Sequence, residues 1–321
     1  MKLQTQIPLS KASNNLIDYK SSMLLLGSCF VENIGEKLAY FKFQNLQNPF
    51  GILFQPKAIE SLISNAINQK EYSEDDIFFQ NEQWHCFDAH SKLSNSSKDV
   101  LLSNLNNAIT STNKQIHEST HIIITLGTSW VYRFIESNRI VANCHKVPQK
   151  HFNKELLPVE TITQALETMV SSIRSVNTIA SIIFTVSPVR HIKDGFIENT
   201  QSKSHLITAI HDFLNQKPTL VNRNSFYFPS YEIMMDELRD YRFYAEDMVH
   251  PNATAINYIW EKFQQVWISD EAKNTMRIVE EVQKGLQHKP FNSESKQHQK
   301  FCLEIKEKQR QLHMQYPHIV F

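Results

Sequence analysis

The 321-residue sequence carries no net charge, with 33 Lys and Arg against 33 Asp and Glu. That balance removes the electrostatic case for nucleic acid or an anionic membrane surface as a partner. The basic residues are scattered, with no basic stripe interleaved with stacking aromatics. Cysteine is scarce, and Cys29, Cys86, Cys144 and Cys302 form no CxxC pair. This argues against a zinc ribbon or a disulfide scaffold and for reduced thiols. His85-Cys86 and Cys144-His145 supply ligand types without the usual ligand spacing, so no metal is expected. No apolar run reaches the ~18 residues of a membrane span. Leu26-Gly27-Ser28-Cys29 imitates a lipoprotein cleavage box, but only Met23 to Leu26 are continuously apolar. A secretory signal needs roughly 7–15 such residues, so the expected location is cytoplasmic.

What is present is ordinary globular composition, 41% hydrophobic and 21% charged, on a chain long enough for a sizeable core. No repeat or low-complexity linker divides it. Short apolar runs alternate with helical patterns. Met23 to Leu26, His121 to Leu126 and Ile179 to Val186 read as buried strands, and Thr219-Leu220-Val221 or Phe226-Tyr227-Phe228 offers a fourth. Val31, Ile34 and Leu38 recur at helical spacing, as do Ile162, Leu166, Met169 and Ile173, then Leu206, Ile210 and Phe213. Fully apolar strands between amphipathic helices predict an α/β fold with a parallel sheet covered on both faces. Two hairpins interrupt this frame, one turning at Asn81-Glu82 and one at Ser137-Asn138. The charged stretch after Ser269 reads as a helical tail.

Ligands in such sheets bind beyond the carboxyl ends of the strands. Gly27-Ser28-Cys29-Phe30 ends the first strand, where Ser28 either caps the following helix or joins a helix N-terminus that offers free N–H groups to an anion beside a small nucleophile. Asp247-Met248-Val249-His250-Pro251 precedes the last helix of the α/β pattern, through Ile256, Ile259, Phe263 and Val266. A carboxylate three residues before a histidine is placed to fix the tautomer of a general base. Asp88, His90 and Ser91 follow the first hairpin, as ordinary polar residues there or as residues that line the cleft. Arg190, His191 and Lys203 follow the third strand and suit either an acidic substrate group or a solvated loop.

These motifs resemble the SGNH/GDSL hydrolase superfamily. More closely, Gly27-Ser28-Cys29-Phe30 with Val31-Glu32-Asn33-Ile34-Gly35 resembles the GSCFA family. Asn48-Pro49-Phe50-Gly51, Gly127-Thr128-Ser129-Trp130, Asn143-Cys144-His145-Lys146, Ser187-Pro188-Val189-Arg190-His191 and Tyr227-Phe228-Pro229-Ser230 extend the likeness to about residue 265, and Lys289-Pro290-Phe291 resembles the family's tail. The resemblance implies a three-layer α/β/α domain over residues 1–268 with a helical extension over 269–321.

It also implies esterase or acyltransferase chemistry on an O-acyl ester, such as a saccharide O-acetyl group, without a cofactor. His250 would be the base and Asp247 its orienter. The superfamily's serine chemistry favours Ser28 as nucleophile, whereas an ungapped Gly-x-Ser register puts Cys29 there. Gly51 matches one oxyanion donor. The usual Asn of the third block is missing, leaving Asn143 or Ser129 as the second donor. His90 and Arg190 are expected to touch substrate. The competing expectation is a non-catalytic binding protein that retains the fold.

Overall fold

β-Branched and leucine-rich runs, each closed by Gly, Ser or Pro, become the strands of one sheet in a computed structural model that describes residues 5–216 and 223–321. In chain order the elements are β1 Ser22–Gly27, α1 Cys29–Tyr40, β2 Gln44–Gln47, α2 Pro56–Ile67, β3 Ile77–Gln80, β4 Gln83–Cys86, α3 Lys98–Glu118 and β5 His121–Leu126. There follow β6 Trp130–Phe134, β7 Arg139–Val141, β8 Phe152–Leu156, α4 Val159–Val176, β9 Ser181–Val186, α5 Phe196–Asn215 and β10 Ser225–Tyr227. A short turn α6 Ser230–Glu232 runs into a π-helical turn Ile233–Leu238, then α7 Ala253–Trp267, α8 Asp270–Gln287 and α9 Lys296–Gln315.

The main sheet has the order β10-β9-β5-β1-β2, and every pairing is parallel. The chain therefore steps outward from β1 to β2 and crosses back to β5. The order reverses between β1 and β5, the position where ligands bind in open sheets of this kind. Residues alternate between the two faces of each strand. Leu24, Leu26, Ile122, Ile124, Ile182 and Phe184 pack with α2 to α5. Met23, Leu25, Ile123 and Ile183 face α1 and α7. This is the expected α/β architecture with helices on both faces.

The tail adds to the second face. Met276, Val279 and Val282 of α8 and Ile305 and Leu312 of α9 join the cluster that covers Met23 and Leu25. Helix α9 closes on α8 at Gly285, where a Cβ would lie 2.5 Å from Ile305 Cδ1.

The first hairpin turns at Asn81-Glu82, both with positive φ, as a tight two-residue loop requires. The second is larger than expected. Strand β8 pairs on the far side of β6, giving the order β7-β6-β8. Its Asn153, Lys154 and Glu155 hid it from an apolar reading. Edge strand β2 is equally polar. The third apolar strand starts at Ser181, because Asn177 Oδ1 accepts from the N–H groups of Ile179 and Ala180 and turns the chain there. For the fourth strand, Phe226 and Tyr227 lie in β10, while Thr219-Leu220-Val221 falls outside the described residues.

Candidate active site

Strand β1 ends on Gly27, whose N–H donates to Asn48 Oδ1 at 2.9 Å. Gly27 has φ +135°, and a Cβ there would sit 2.1 Å from the Thr125 carbonyl oxygen. Only glycine lets the chain turn this close to β5. Ser28 follows as the N-cap of α1, with Oγ accepting from Phe30 N–H at 3.3 Å. It is 1% exposed. Cys29 is the first helical residue and is half-buried. Burial and the Glu32 carboxylate push its thiol up, while Lys203 and the N–H groups of Cys29 and Phe30 pull it down. The first pair wins, so the resting group is a thiol.

The second motif folds back on itself. Met248 takes φ +56°, which lets Asp247 Oδ1 accept from the backbone N–H groups of Val249 (2.9 Å) and His250 (3.0 Å). Asp247 Oδ2 stands 2.6 Å from His250 Nδ1. These three bonds, the backbone ones first, hold the Asp247 carboxyl down to about 2. An ionised carboxylate only accepts, so Nδ1 carries the proton and Nε2 is left as the basic nitrogen. The loop is anchored by Arg190 N–H to Val249 O (3.2 Å) and Ala245 N–H to His250 O (2.7 Å). His250 is about half exposed, and among the described residues no hydrogen bond joins its ring to Ser28 or Cys29.

Between the two motifs lie groups that the sequence pattern placed only loosely. Lys203 is 1% exposed on α5, and its Nζ donates to the carbonyls of Gly127 (2.7 Å) and Ser187 (2.8 Å). Burial takes its ammonium down to about 7, with Cys29 opposing. It clamps strand ends and faces no solvent. His191 packs against Phe54, with ring centroids 5.8 Å apart, and its buried Nε2 has no hydrogen-bond partner among the described residues. Burial first, then the charges of Lys203 and His250, lower it to about 3. Cys29, Lys203, His191 and His250 thus form a chain of electrostatic neighbours across the ends of β1, β5 and β9.

The expected oxyanion residues are differently engaged. Gly51 N–H donates to Asn48 O at 2.7 Å inside a turn. Ser129 is fully buried and donates its hydroxyl to Ser202 O at 3.1 Å. Asn143 Oδ1 accepts from His145 N–H at 2.8 Å, and the structure gives it no contact with Cys29. The Asn48 side chain went unnoticed in the sequence. It caps the end of β1 through Oδ1, and its buried Nδ2 has no partner among the described residues. The signal was its place one residue past a strand parallel to β1. Asn48, Gly51, Glu32 and Lys92 line one cavity of about 350 Å³.

His90 packs over Gly51, and burial depresses its imidazole. Asp88 accepts from Tyr72 Oη and pairs with Arg139, tying the two hairpins together. His85 and His145 lie tilted with ring centres 4.7 Å apart, and their ring nitrogens sit on the Gln80 and Cys86 carbonyls. Among the described residues no three His, Cys, Asp or Glu side chains gather as a metal ion would need, and no helix is long and apolar enough to cross a membrane. A cavity of about 880 Å³ between α1, α7 and α8 includes none of the residues above.

The family model described as the GSCFA family matches residues 22–263, and that of the GSCFA domain protein, C-terminal domain, matches residues 279–321. No curated protein matches the chain.

Proposed function

The chain belongs to the GSCFA family, and from that premise we propose that it is an esterase or acyltransferase of the SGNH kind. The observation that carries this reading is the Asp247–His250 pair, 2.6 Å apart, at the same sheet edge as a helix that opens on a half-buried thiol. Between the two adjacent nucleophile candidates we favour Cys29, because Ser28 is sealed under the helix as its cap.

In the proposed reaction His250 Nε2 takes the Cys29 proton as sulfur bonds to the acyl carbon of an O-acyl ester. Asp247 holds the imidazole in its tautomer and stabilises the imidazolium. The tetrahedral anion is met by Cys29 N–H, the first of α1, and by Asn48 Nδ2, since Phe30 and Val31 N–H, Gly51 N–H and the Ser129 hydroxyl are engaged elsewhere. The carbon–oxygen bond then breaks, and His250 returns the proton to the departing alkoxide. Water or an acceptor alcohol, deprotonated by the same nitrogen, releases the acyl group from sulfur. A saccharide O-acyl ester is the substrate we propose.

One feature favours a second reading, a ligand-binding protein that retains the fold: His250 makes no hydrogen bond to either nucleophile candidate among the described residues. Labelling separates the two. Iodoacetamide and a fluorophosphonate are applied to wild type and to Ser28→Ala, Cys29→Ala and His250→Ala, alongside p-nitrophenyl acetate turnover. We expect turnover and site-directed alkylation to vanish in Cys29→Ala and to fall at least ~10²-fold in His250→Ala. Turnover that ignores both substitutions, or no labelling at all, would favour the binding protein.

A further inference from the structure

Against the outer side of the His250 loop lies a cavity of about 430 Å³ for which the acyl chemistry has no use. Its walls come from the loop after β9 and the start of α5 (Arg190, Phe196), the end of the π-helical turn (Arg239), and the segment leading to His250 (Tyr241, Tyr244). The Arg190 N–H that holds Val249 O makes this wall continuous with the catalytic loop.

Two arginines share this wall. Of the other arginines, Arg133, Arg139, Arg242 and Arg310 are paired with Glu155, Asp88, Asp240 and Glu307, while Arg174, Arg223 and Arg277 form no ion pair among the described residues. Arg190 and Arg239 make no ion pair among the described residues, though both line one cavity. Asp240, the carboxylate on this wall, is already held by Arg242 at 3.1 Å. Two unpaired cations sharing a concave surface attract an anion.

The Arg190 guanidinium carbon sits 5.4 Å from the Phe196 ring centre and 5.8 Å from that of Tyr244. Cation–π attraction to two rings steadies the group, and a guanidinium edge can make paired hydrogen bonds to an oxyanion. Phe196 and Tyr241 are 63% and 64% exposed. Exposed aromatic faces beside polar groups suit a ring with one apolar face and a hydroxylated rim.

We infer that this cavity binds an anionic group, carboxylate or phosphate, carried on a saccharide ring, and so selects acidic saccharide esters. Selection of esters rests on the proposed reaction; binding of the anionic sugar does not. The test therefore uses the Cys29→Ala variant, which turns nothing over, and titrates it calorimetrically at low salt. The probes are methyl β-glucuronide and glucose 6-phosphate, with methyl β-glucoside as the neutral control.

At least one anionic probe is expected to bind ten times more tightly than the glucoside. Arg190→Ala and Arg239→Ala, each added to that variant, should weaken it about tenfold without lowering the melting temperature; Arg239, exposed on a turn, carries the result if Arg190→Ala loosens the loop. Equal binding of neutral and anionic sugars, indifference to both arginine changes, or no binding of either anion would overturn the inference. Anion binding that survives alongside wild-type protein inert toward p-nitrophenyl acetate would remove the reaction and keep the site.

Discussion

Lys203 Nζ donates to the Gly127 carbonyl at 2.7 Å from a position almost out of reach of solvent. With its second bond to Ser187 O, one ammonium joins the carboxyl ends of β5 and β9. Its ordinary value is 10.5 and its folded value about 7. Between these the unfolded chain holds the extra proton, so stability is lowest below pH 7 and climbs as pH rises toward 10.5. The window from 7 to 9 isolates it, since the raised thiols of Cys86 and Cys144 act only from 9 upward. Urea unfolding across that window should show stability rising toward about 1.4 kcal/mol per pH unit in wild type and flat in Lys203→Met. Equal slopes would mean that the ammonium stays charged in the fold.

Acid should act on His191. Its folded value of about 3 lies below the ordinary 6.5, so the unfolded chain takes up the proton first. The stability it contributes is complete above 6.5 and is lost as pH falls toward 3. His191→Gln keeps a polar group of similar reach without the titration. Denaturant midpoints between pH 6.5 and 4 should fall less steeply in His191→Gln than in wild type. The residual slope belongs partly to His145, held to about 4. An unchanged slope would place a partner on His191 Nε2.

Asp247 should matter to rate and not to stability. Its carboxyl, held to about 2, stays ionised across any working pH, so the acid limb of a rate profile reports other groups. Asp247→Asn keeps an oxygen for the Val249 and His250 N–H groups and removes the charge and the tautomer control. Turnover of p-nitrophenyl acetate should drop by on the order of 10²–10⁴ with the melting point unmoved. A loss under tenfold would argue that His250 works without its carboxylate.

The parts of this molecule that could be read from sequence are those where one residue type answers to one physical demand. Leu24, Ile122 and Ile182 sit in strands buried on both faces, which leaves runs with no polar break. Asp247 and His250 are three apart, so their meeting is local and visible as a pattern. What stayed hidden depends on distant partners. Strand β8 hydrogen-bonds through its backbone while exposing Asn153 and Lys154, so its side chains carry no signal. The sequence leaves Ser28 open between cap and nucleophile, and the helix start one residue later makes it the cap. Asn48 and Lys203 are named by which backbone groups they reach, 21 and 76 residues away.

Gly27 ought to tolerate nothing larger. Alanine there would adopt φ +135° and place its Cβ against backbone atoms of Thr125, which cannot swing aside as a side chain can. Gly27→Ala should cost about 2–4 kcal/mol by chemical denaturation. It should also lower p-nitrophenyl acetate turnover more than the stability loss explains, because the same turn aims Cys29. A variant as stable and active as wild type would show that the turn relaxes elsewhere.

The tail offers the last test, of whether residues 269–321 form an extension of the same cooperative unit. Leu312 is 2% exposed and packs, with Ile305 and Tyr316, into the cluster that holds Leu25 and Trp267. Tyr316 also stacks on Tyr19, ring centres 5.0 Å apart, and Tyr19 in turn on Phe43 at 4.4 Å beside the sheet. Truncating a buried leucine costs about 2–5 kcal/mol. If the tail and body fold together, Leu312→Ala lowers one sharp unfolding transition as a whole, followed by tryptophan fluorescence and by helical circular dichroism alike. If the tail is separate, the dichroism shows an early step of its own before the main transition. The continuous cluster across α7, α8 and α9 favours the single transition.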